Sequence, residues 1–130
     1  MNSKTLEQLE NEYWGEPQFD SNLVIRCHQL RKKPLNDFNT GDLRIMIGQS
    51  FSLEYLMPLA IEELEKDVLV EGDLYEGDIL INTLNKENKK YWRRNKSLWD
   101  DLIELIKKNK NRIENRMFSE IEDKIKFIES

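Results

Sequence analysis

The sequence of 130 residues predicts an all-α fold: a single multi-helix domain, residues 1–130, built around a central helical hairpin. Three observations favour this class. Apolar residues recur three and four positions apart along most of the chain, which places them on one face of a helix. Residues that cap helices precede many of these runs. The chain also holds only five glycines and three prolines, too few for a turn-rich β-sandwich.

The N-terminal part of the chain predicts two helices. Ser3 is a candidate cap for a first helix that runs to about Tyr13. Asp20 or Ser21 is expected to cap a second helix, which Pro34 ends. The spacing predicts a buried stripe of Leu23, Val24, Cys27 and Leu30 and an outward face of Arg26, Gln29, Arg31, Lys32 and Lys33. Phe38 is expected to anchor the following connection in the core.

The central hairpin is predicted over residues 40–64. Thr40 and Ser52 are the candidate caps of its two helices. Gly48 is able to take a left-handed conformation at the corner between them, and Pro58 should bend or loosen the second helix. The apolar stripes are Leu43, Met46 and Ile47 in the first helix, and Leu53, Leu56, Met57, Ala60 and Leu64 in the second.

The C-terminal half predicts further helices. Gly72 and Gly77 mark an acidic turn, after which helical spacing resumes over residues 79–84. Residues 85–95 fit either a short helix or a connecting loop. Asn95 or Ser97 is the candidate cap of a longer helix, and a capping box formed by Ser119 and Glu122 predicts the start of the last one.

Charge is distributed unevenly along the chain. The net charge is −5, yet residues 54–78 hold nine acidic side chains and one basic one, a local charge of −8. Residues 81–116 hold eleven basic and five acidic side chains, a local charge of +6. Such polarity can steer an oppositely charged partner, although most single charges on a helical protein only solvate its surface.

The sequence contains no recognisable catalytic or metal-binding motif. Cys27 and His28 are the only residues of their kinds, and neighbours on a helix point about 100° apart, which is poor geometry for a nucleophile and its base. We therefore expect a buried thiol and a satisfied or half-exposed imidazole, with no cofactor and no metal. One cysteine, no long apolar run and no apolar leader predict a cytoplasmic protein without a membrane span.

One aromatic and basic cluster leaves two interpretations open. Tyr91, Trp92, Arg93 and Arg94 suit single-stranded nucleic acid, because bases stack on aromatic rings among cationic side chains. At helical spacing the same residues also fit a core edge covered by the stems of long basic side chains. The net negative charge favours the core edge, so a nucleic-acid-binding module that uses residues 86–116 is the alternative function.

Several segments, taken in order, resemble the helical immunity proteins of bacterial contact-dependent growth inhibition (CDI) systems. They are Trp14-Gly-Glu-Pro, Asp20-Ser-x-Leu-Val, Cys27-His-x-Leu-Arg-x-x-Pro-Leu, Asp42-Leu-Arg-x-x-Ile-Gly-Gln, Leu53-Glu-Tyr-Leu-x-Pro-Leu-Ala and Gly72-Asp-Leu-Tyr-x-Gly-Asp. The resemblance runs from about Leu6 to Leu84. It implies a cytoplasmic protein, not an enzyme, that binds and blocks one toxin domain delivered by a neighbouring cell.

The resemblance also directs attention to the acidic segment as the toxin-binding site. Many toxins of such systems attack nucleic acids and are basic, so an acidic inhibitor surface would speed association and occlude their substrate groove. No direct contact with nucleic acid or membrane is expected. The candidate toxin-binding residues are Glu62, Glu63, Glu65, Asp67, Glu71, Asp73, Glu76 and Asp78. The alternative binding patch is the Tyr91–Arg94 cluster.

Overall fold

Eight α-helices make up most of a computed structural model that describes residues 3–18 and 21–130. Their bounds are α1 Leu6–Glu10, α2 Asn22–Arg31, α3 Thr40–Gly48, α4 Leu53–Lys66, α5 Asp78–Thr83, α6 Lys89–Arg94, α7 Lys96–Lys108 and α8 Asn115–Glu129. Short 3-10 turns lie at Leu35–Asp37, Lys86–Asn88 and Lys110–Arg112. The two described ranges contain no β-strand, only an isolated bridge between Thr5 and Pro34. The all-α prediction is confirmed.

Helices α3 and α4 form the centre of the molecule. Helix α3 packs against both α4 and α5, and α4 also contacts α7. The predicted stripes of the hairpin are buried at Leu43, Met46 and Ile47 in α3, and at Leu56, Met57, Ala60 and Leu64 in α4. Leu56 has no exposed surface at all. The central helical pair therefore supplies the part of the core around which the other helices are arranged.

Two helices begin at capping boxes that lie next to the predicted caps. Thr5, not Ser3, caps α1, and its hydroxyl accepts a hydrogen bond from the backbone N–H of Gln8. Asn39, not Thr40, caps α3. Each box uses a polar residue three positions further on to close the reciprocal bond. The predictions missed these starts by one or two residues, because several neighbouring residues were able to cap.

Two other residues that were predicted to cap helices, Ser52 and Ser119, do not do so. Ser52 does precede α4, but its backbone is left-handed (φ 53°) and its side chain makes no capping bond. Its hydroxyl donates instead to the Glu10 carboxylate at 3.0 Å, which ties α4 to α1. Ser119 lies inside α8, which already begins at Asn115, so the predicted capping box there does not form. A tertiary contact thus takes the place of a local cap at the start of α4, and α8 begins without a side-chain cap.

The corner between α3 and α4 differs from the prediction in its use of glycine. Gly48 is not left-handed; the residues with positive φ are Ser50 (59°) and Ser52 (53°). A Cβ on Gly48 would lie 2.7 Å from Oδ1 of Asn82, so this glycine permits close packing against α5. Pro58 lies inside α4, which runs unbroken from Leu53 to Lys66. Pro58 therefore does not end the helix, and the bend or loosening expected there stays a prediction.

Helix α2 buries a residue that was expected to face outward. Cys27 and Leu30 are buried as predicted, but Arg31 is only 2% exposed and Leu23 is 41% exposed. The helix is capped by Ser21. The other candidate cap, Asp20, lies outside the described residues. Among the residues that the structure describes, we find no helix with both the length and the apolar character that crossing a membrane requires.

Candidate interaction surface

The acidic segment predicted from the sequence divides into two parts in space. The first part lies on the second half of α4, where Glu62 and Glu65 are exposed. Glu63 is partly buried and forms an ion pair with Lys66 at 3.0 Å. Two of the three carboxylates in this half of α4 are therefore open to solvent without an ion-pair partner among residues 3–18 and 21–130.

Helix α7 adds carboxylates that the sequence did not connect with α4. Glu65 lies in a groove between the two helices, which is also lined by Asp101 and Glu104 of α7. Ile61, Leu105 and Lys108 complete the lining. Three carboxylates thus meet one lysine in a shallow groove of about 290 Å³. The contribution of α7 was missed because it depends on a packing contact between residues about 40 positions apart, for which the sequence offers no signal.

Asp67 ends α4 and joins it to the C-terminal third of the chain. Its carboxylate accepts a hydrogen bond from the backbone N–H of Leu69 at 3.0 Å. The same oxygen accepts one from Arg112 at 3.0 Å, and both side chains of this ion pair are about half exposed. Part of the negative charge of Asp67 is therefore compensated within the protein.

The second part of the acidic segment is the loop of residues 68–77, which is organised around Asp78. The Asp78 carboxylate is completely buried and accepts hydrogen bonds from the backbone N–H groups of Gly72 (2.5 Å), Leu74 (2.9 Å) and Tyr75 (3.3 Å). It cannot contact a partner, so its inclusion among the toxin-binding candidates is corrected to a structural role. A buried carboxylate has to be satisfied by such donors, and these three hold the loop in shape.

The remaining acids of the loop point outward. Asp73 forms a two-bonded ion pair with Arg44 of α3, at 2.5 Å from Nε and 3.2 Å from Nη2. Glu71 and Glu76 are exposed and have no ion-pair partner within the described part of the chain. The loop therefore presents two uncompensated carboxylates beside one that α3 neutralises.

The alternative binding patch is divided between core and surface. Trp92 is 1% exposed, and its indole Nε1–H donates to the backbone carbonyl of Thr83 at 2.8 Å. Its ring packs against Tyr91 and Trp99, with centroids 5.2 and 5.1 Å away. Arg93 and Arg94 are exposed, and Arg93 donates to the backbone carbonyl of Ser130 at 2.9 Å. The largest ring of the cluster is therefore not available for stacking on a base.

Cys27 and His28 lie as the sequence predicted. Burial raises the pKa of the Cys27 thiol, against the opposing effect of the neighbouring Arg26 charge. The imidazole Nδ1 of His28 lies 3.1 Å from the backbone carbonyl of Gly15, and the ring meets Trp14 edge to face at 5.0 Å. Within the described residues, no group of three or more histidine, cysteine, aspartate or glutamate side chains is arranged so that it could hold a metal ion. The prediction of a buried thiol and a satisfied or half-exposed imidazole is confirmed.

The comparison with protein families decides what kind of protein carries these surfaces. A model of CDI immunity proteins matches residues 8–102, almost three quarters of the chain. The chain belongs to this family. The resemblance seen in the sequence is thereby confirmed. No curated protein and no solved structure matched the chain. The matched range begins within α1, contains α2–α6 and the whole acidic segment, and ends within α7.

Several residues within the motifs of this immunity protein form its framework. Arg31 is buried against the Trp14 ring, 4.6 Å from the ring centroid, and pairs with Glu10. Asp42 is fully buried and pairs with Arg26 at 2.7 Å and with Lys33 at 2.6 Å. The sequence did carry a signal for both. Arg31 follows Cys27 by four positions, on the buried stripe, and Asp42 follows Asn39 at capping-box spacing.

Proposed function

We propose that this immunity protein binds the toxin domain of a CDI effector and neutralises it by covering the toxin's active or substrate-binding site. We further propose that the toxin is a nuclease. Membership of the CDI immunity family supports the general role. The observation that carries the finer proposal is the acidic surface formed by α4, the groove with α7 and the loop of residues 68–77.

The exposed acids of this surface support binding to a basic partner. Five carboxylates between residues 54 and 78 are exposed and lack an ion-pair partner in residues 3–18 and 21–130: Glu54, Glu62, Glu65, Glu71 and Glu76. A nuclease binds phosphates through lysine and arginine side chains, so its substrate groove is positively charged. Complementary charges raise the rate of association between two such surfaces. A covered groove would be closed to nucleic acid.

The proposal gives this protein no chemical step. Its effect is that of an inhibitor which occupies a surface, so it requires no catalytic residue, cofactor or metal ion. We place its action in the cytoplasm, because a delivered toxin reaches its nucleic-acid substrates there. The alternative, a nucleic-acid-binding module in residues 86–116, has less support because Trp92 is enclosed in the core.

We expect the toxin domain to be encoded immediately upstream of this gene, and the direct test is co-expression with that domain. We expect growth to be rescued and the two proteins to purify together through size-exclusion chromatography. Purified toxin should lose its nuclease activity when one equivalent of this protein is added. Toxicity unchanged by co-expression, together with separate elution, would show that the proposal is wrong. A mobility-shift assay of this protein alone with single-stranded RNA and DNA tests the alternative function.

A further inference from the structure

Two large apolar side chains project from the loop of residues 68–77 into solvent. Leu74 is 61% exposed and Tyr75 is 45% exposed. Single apolar side chains on a surface are common and need no explanation. These two are consecutive in a loop whose backbone is held from several sides. Such a pair is costly to leave in water and is therefore a candidate contact for a partner.

The first constraint on the loop comes from within. Asp78 binds three backbone N–H groups of the loop, two of which belong to Leu74 and Tyr75 themselves. The backbone N–H of Gly77 donates to the carbonyl of Leu69 at 3.0 Å and closes the base of the loop. These bonds fix the backbone from which both apolar side chains project before any partner arrives.

The second constraint comes from α3. Arg44 holds Asp73 with two hydrogen bonds. The backbone of Gly72 approaches Arg44 so closely that a Cβ on this glycine would lie 2.7 Å from the Arg44 Cβ. The third constraint comes from α8, since a Cβ on Gly77 would lie 3.0 Å from the end of the Met117 side chain. The loop is thus clamped between two helices.

The surroundings of the two side chains are acidic. Glu71 and Glu76 flank them in the chain, and Glu120 of α8 lies close enough to act on the Tyr75 phenol. Burial, followed by the charges of Glu120 and Asp78, raises the pKa of Tyr75, so the phenol is neutral at physiological pH and able to donate a hydrogen bond. The patch combines an apolar centre with a rim of carboxylates, of which Glu71, Glu76 and Glu120 have no ion-pair partner in the described part of the chain.

We propose that Leu74 and Tyr75 are the central contacts of the toxin interface and enter an apolar pocket of the toxin that is surrounded by lysine or arginine side chains. This inference rests on the proposed function and adds to it the residues that supply most of the affinity. Tyrosine is enriched among such residues, and a contact that is already ordered loses little entropy on binding. The carboxylate rim matches the basic surface of the proposed partner.

The test compares two double variants of matched composition. One is Leu74→Ala with Tyr75→Ala. The control is Leu23→Ala with Tyr13→Ala, which removes the same pair of side chains from positions that are 41% and 64% exposed, outside the acidic loop. Binding of each to the toxin domain encoded upstream is measured by surface plasmon resonance, and folding by thermal melting. The single variant Leu74→Ser gives a second measurement at the most exposed of the two side chains.

We expect the loop variant to melt like the wild type and to lose about 100-fold or more in affinity, mainly through faster dissociation. The control should bind like the wild type. Leu74→Ser should lose roughly 10-fold or more. If the wild type binds the toxin, and both the double loop variant and Leu74→Ser bind it with the wild-type affinity, the loop proposal is wrong and the proposed function stands. If the wild type does not bind the toxin, both proposals fail.

Discussion

At the scale of single residues, the framework depends on three buried charged side chains: Arg31, Asp42 and Asp78. Each is expensive to bury unless its hydrogen bonds are made, and the first two tie together segments that are distant in the chain. Arg31 connects α2 to the segment that follows α1, and Asp42 connects α3 to α2. Asp78 instead shapes the loop before α5. Removing one member of such a group should cost more than removing an exposed charge.

The first prediction concerns Asp42→Asn. Burial acts to raise the pKa of Asp42, but the hydrogen bonds from Lys33, the Asn39 amide and Arg26 outweigh it, and the pKa is lowered. A lowered folded pKa contributes stability above the unfolded value of about 4, and this contribution disappears as pH falls through the folded pKa. We expect the variant to lose about 1.5–3 kcal/mol near pH 7. The loss should shrink below about pH 4.

Urea unfolding of both proteins between pH 3 and pH 7 measures this difference. Asp37→Asn, which changes an exposed carboxylate close by, serves as the control and should change the free energy of unfolding by less than about 0.5 kcal/mol. A difference between Asp42→Asn and the wild type that does not vary with pH would contradict the role assigned to the Asp42 charge.

The second prediction concerns Leu56, which is fully buried in the first turn of α4. Leu56→Ala should lower the free energy of unfolding by about 2–5 kcal/mol, because it removes buried apolar contacts and leaves a cavity. Leu74→Ala, at an exposed position, should change it by no more than about 0.5 kcal/mol. Equal stabilities of the two variants in denaturant titrations would place the core elsewhere.

At the scale of the elements, apolar periodicity predicted most of the helices. Capping residues were a poorer guide to where each helix begins and ends. The stripes of α3, α4 and α7 are amphipathic over two or more turns, so the helical period is visible in the sequence. At the start of α4, Ser52 bonds to Glu10 far along the chain, which no local pattern reveals, and α8 begins at Asn115 without a side-chain cap. Helix α6 is too short for its period to distinguish a helix from a loop.

The third prediction uses α6 to separate a core role from a binding role. Trp92→Ala should destabilise the protein by about 3–5 kcal/mol, because it removes a large buried ring. It also leaves the Thr83 carbonyl without the indole donor. The double variant Arg93→Gln with Arg94→Gln changes exposed charges and should cost less than about 1 kcal/mol. Thermal melting of the two variants measures this difference. If Trp92→Ala melts like the wild type, the Tyr91–Arg94 cluster is again a candidate binding surface.

At the scale of the whole molecule, the acidic surface combines local and distant contributions. The acids of residues 54–78 were visible in the sequence as a run of like charge. The sequence did not show that Asp78 is buried, that Arg44 compensates Asp73, or that Asp101 and Glu104 join Glu65 in one groove. Each of these facts depends on packing between distant segments. The composition therefore predicted that this surface is negatively charged, while the fold determines which of its charges a partner can contact.

The fourth prediction tests that surface as a unit. Charge reversal at three exposed acids, Glu62→Lys, Glu65→Lys and Glu71→Lys, should leave the helical spectrum in circular dichroism unchanged but slow association with the toxin domain. Long-range attraction between exposed charges is screened by salt, over a Debye length of about 10 Å at 0.1 M ionic strength. The slowing should therefore be greatest at low salt, about 10-fold or more, and weaker at 0.5 M salt.

The control for this prediction is a reversal of equal size at Glu12, Glu16 and Glu87, which are exposed acids outside residues 54–78. Both triple variants change the net charge by the same amount, so an effect of overall charge alone would slow them equally. We expect stopped-flow association rates to differ between the two triple variants. The control variant should associate at a rate close to that of the wild type, apart from the effect of the changed net charge. If the Glu62, Glu65 and Glu71 variant associates and protects cells like the wild type at every salt concentration, the acidic surface only solvates the fold. The interface should then be sought in the basic second half, around Tyr91, Arg93 and Arg94.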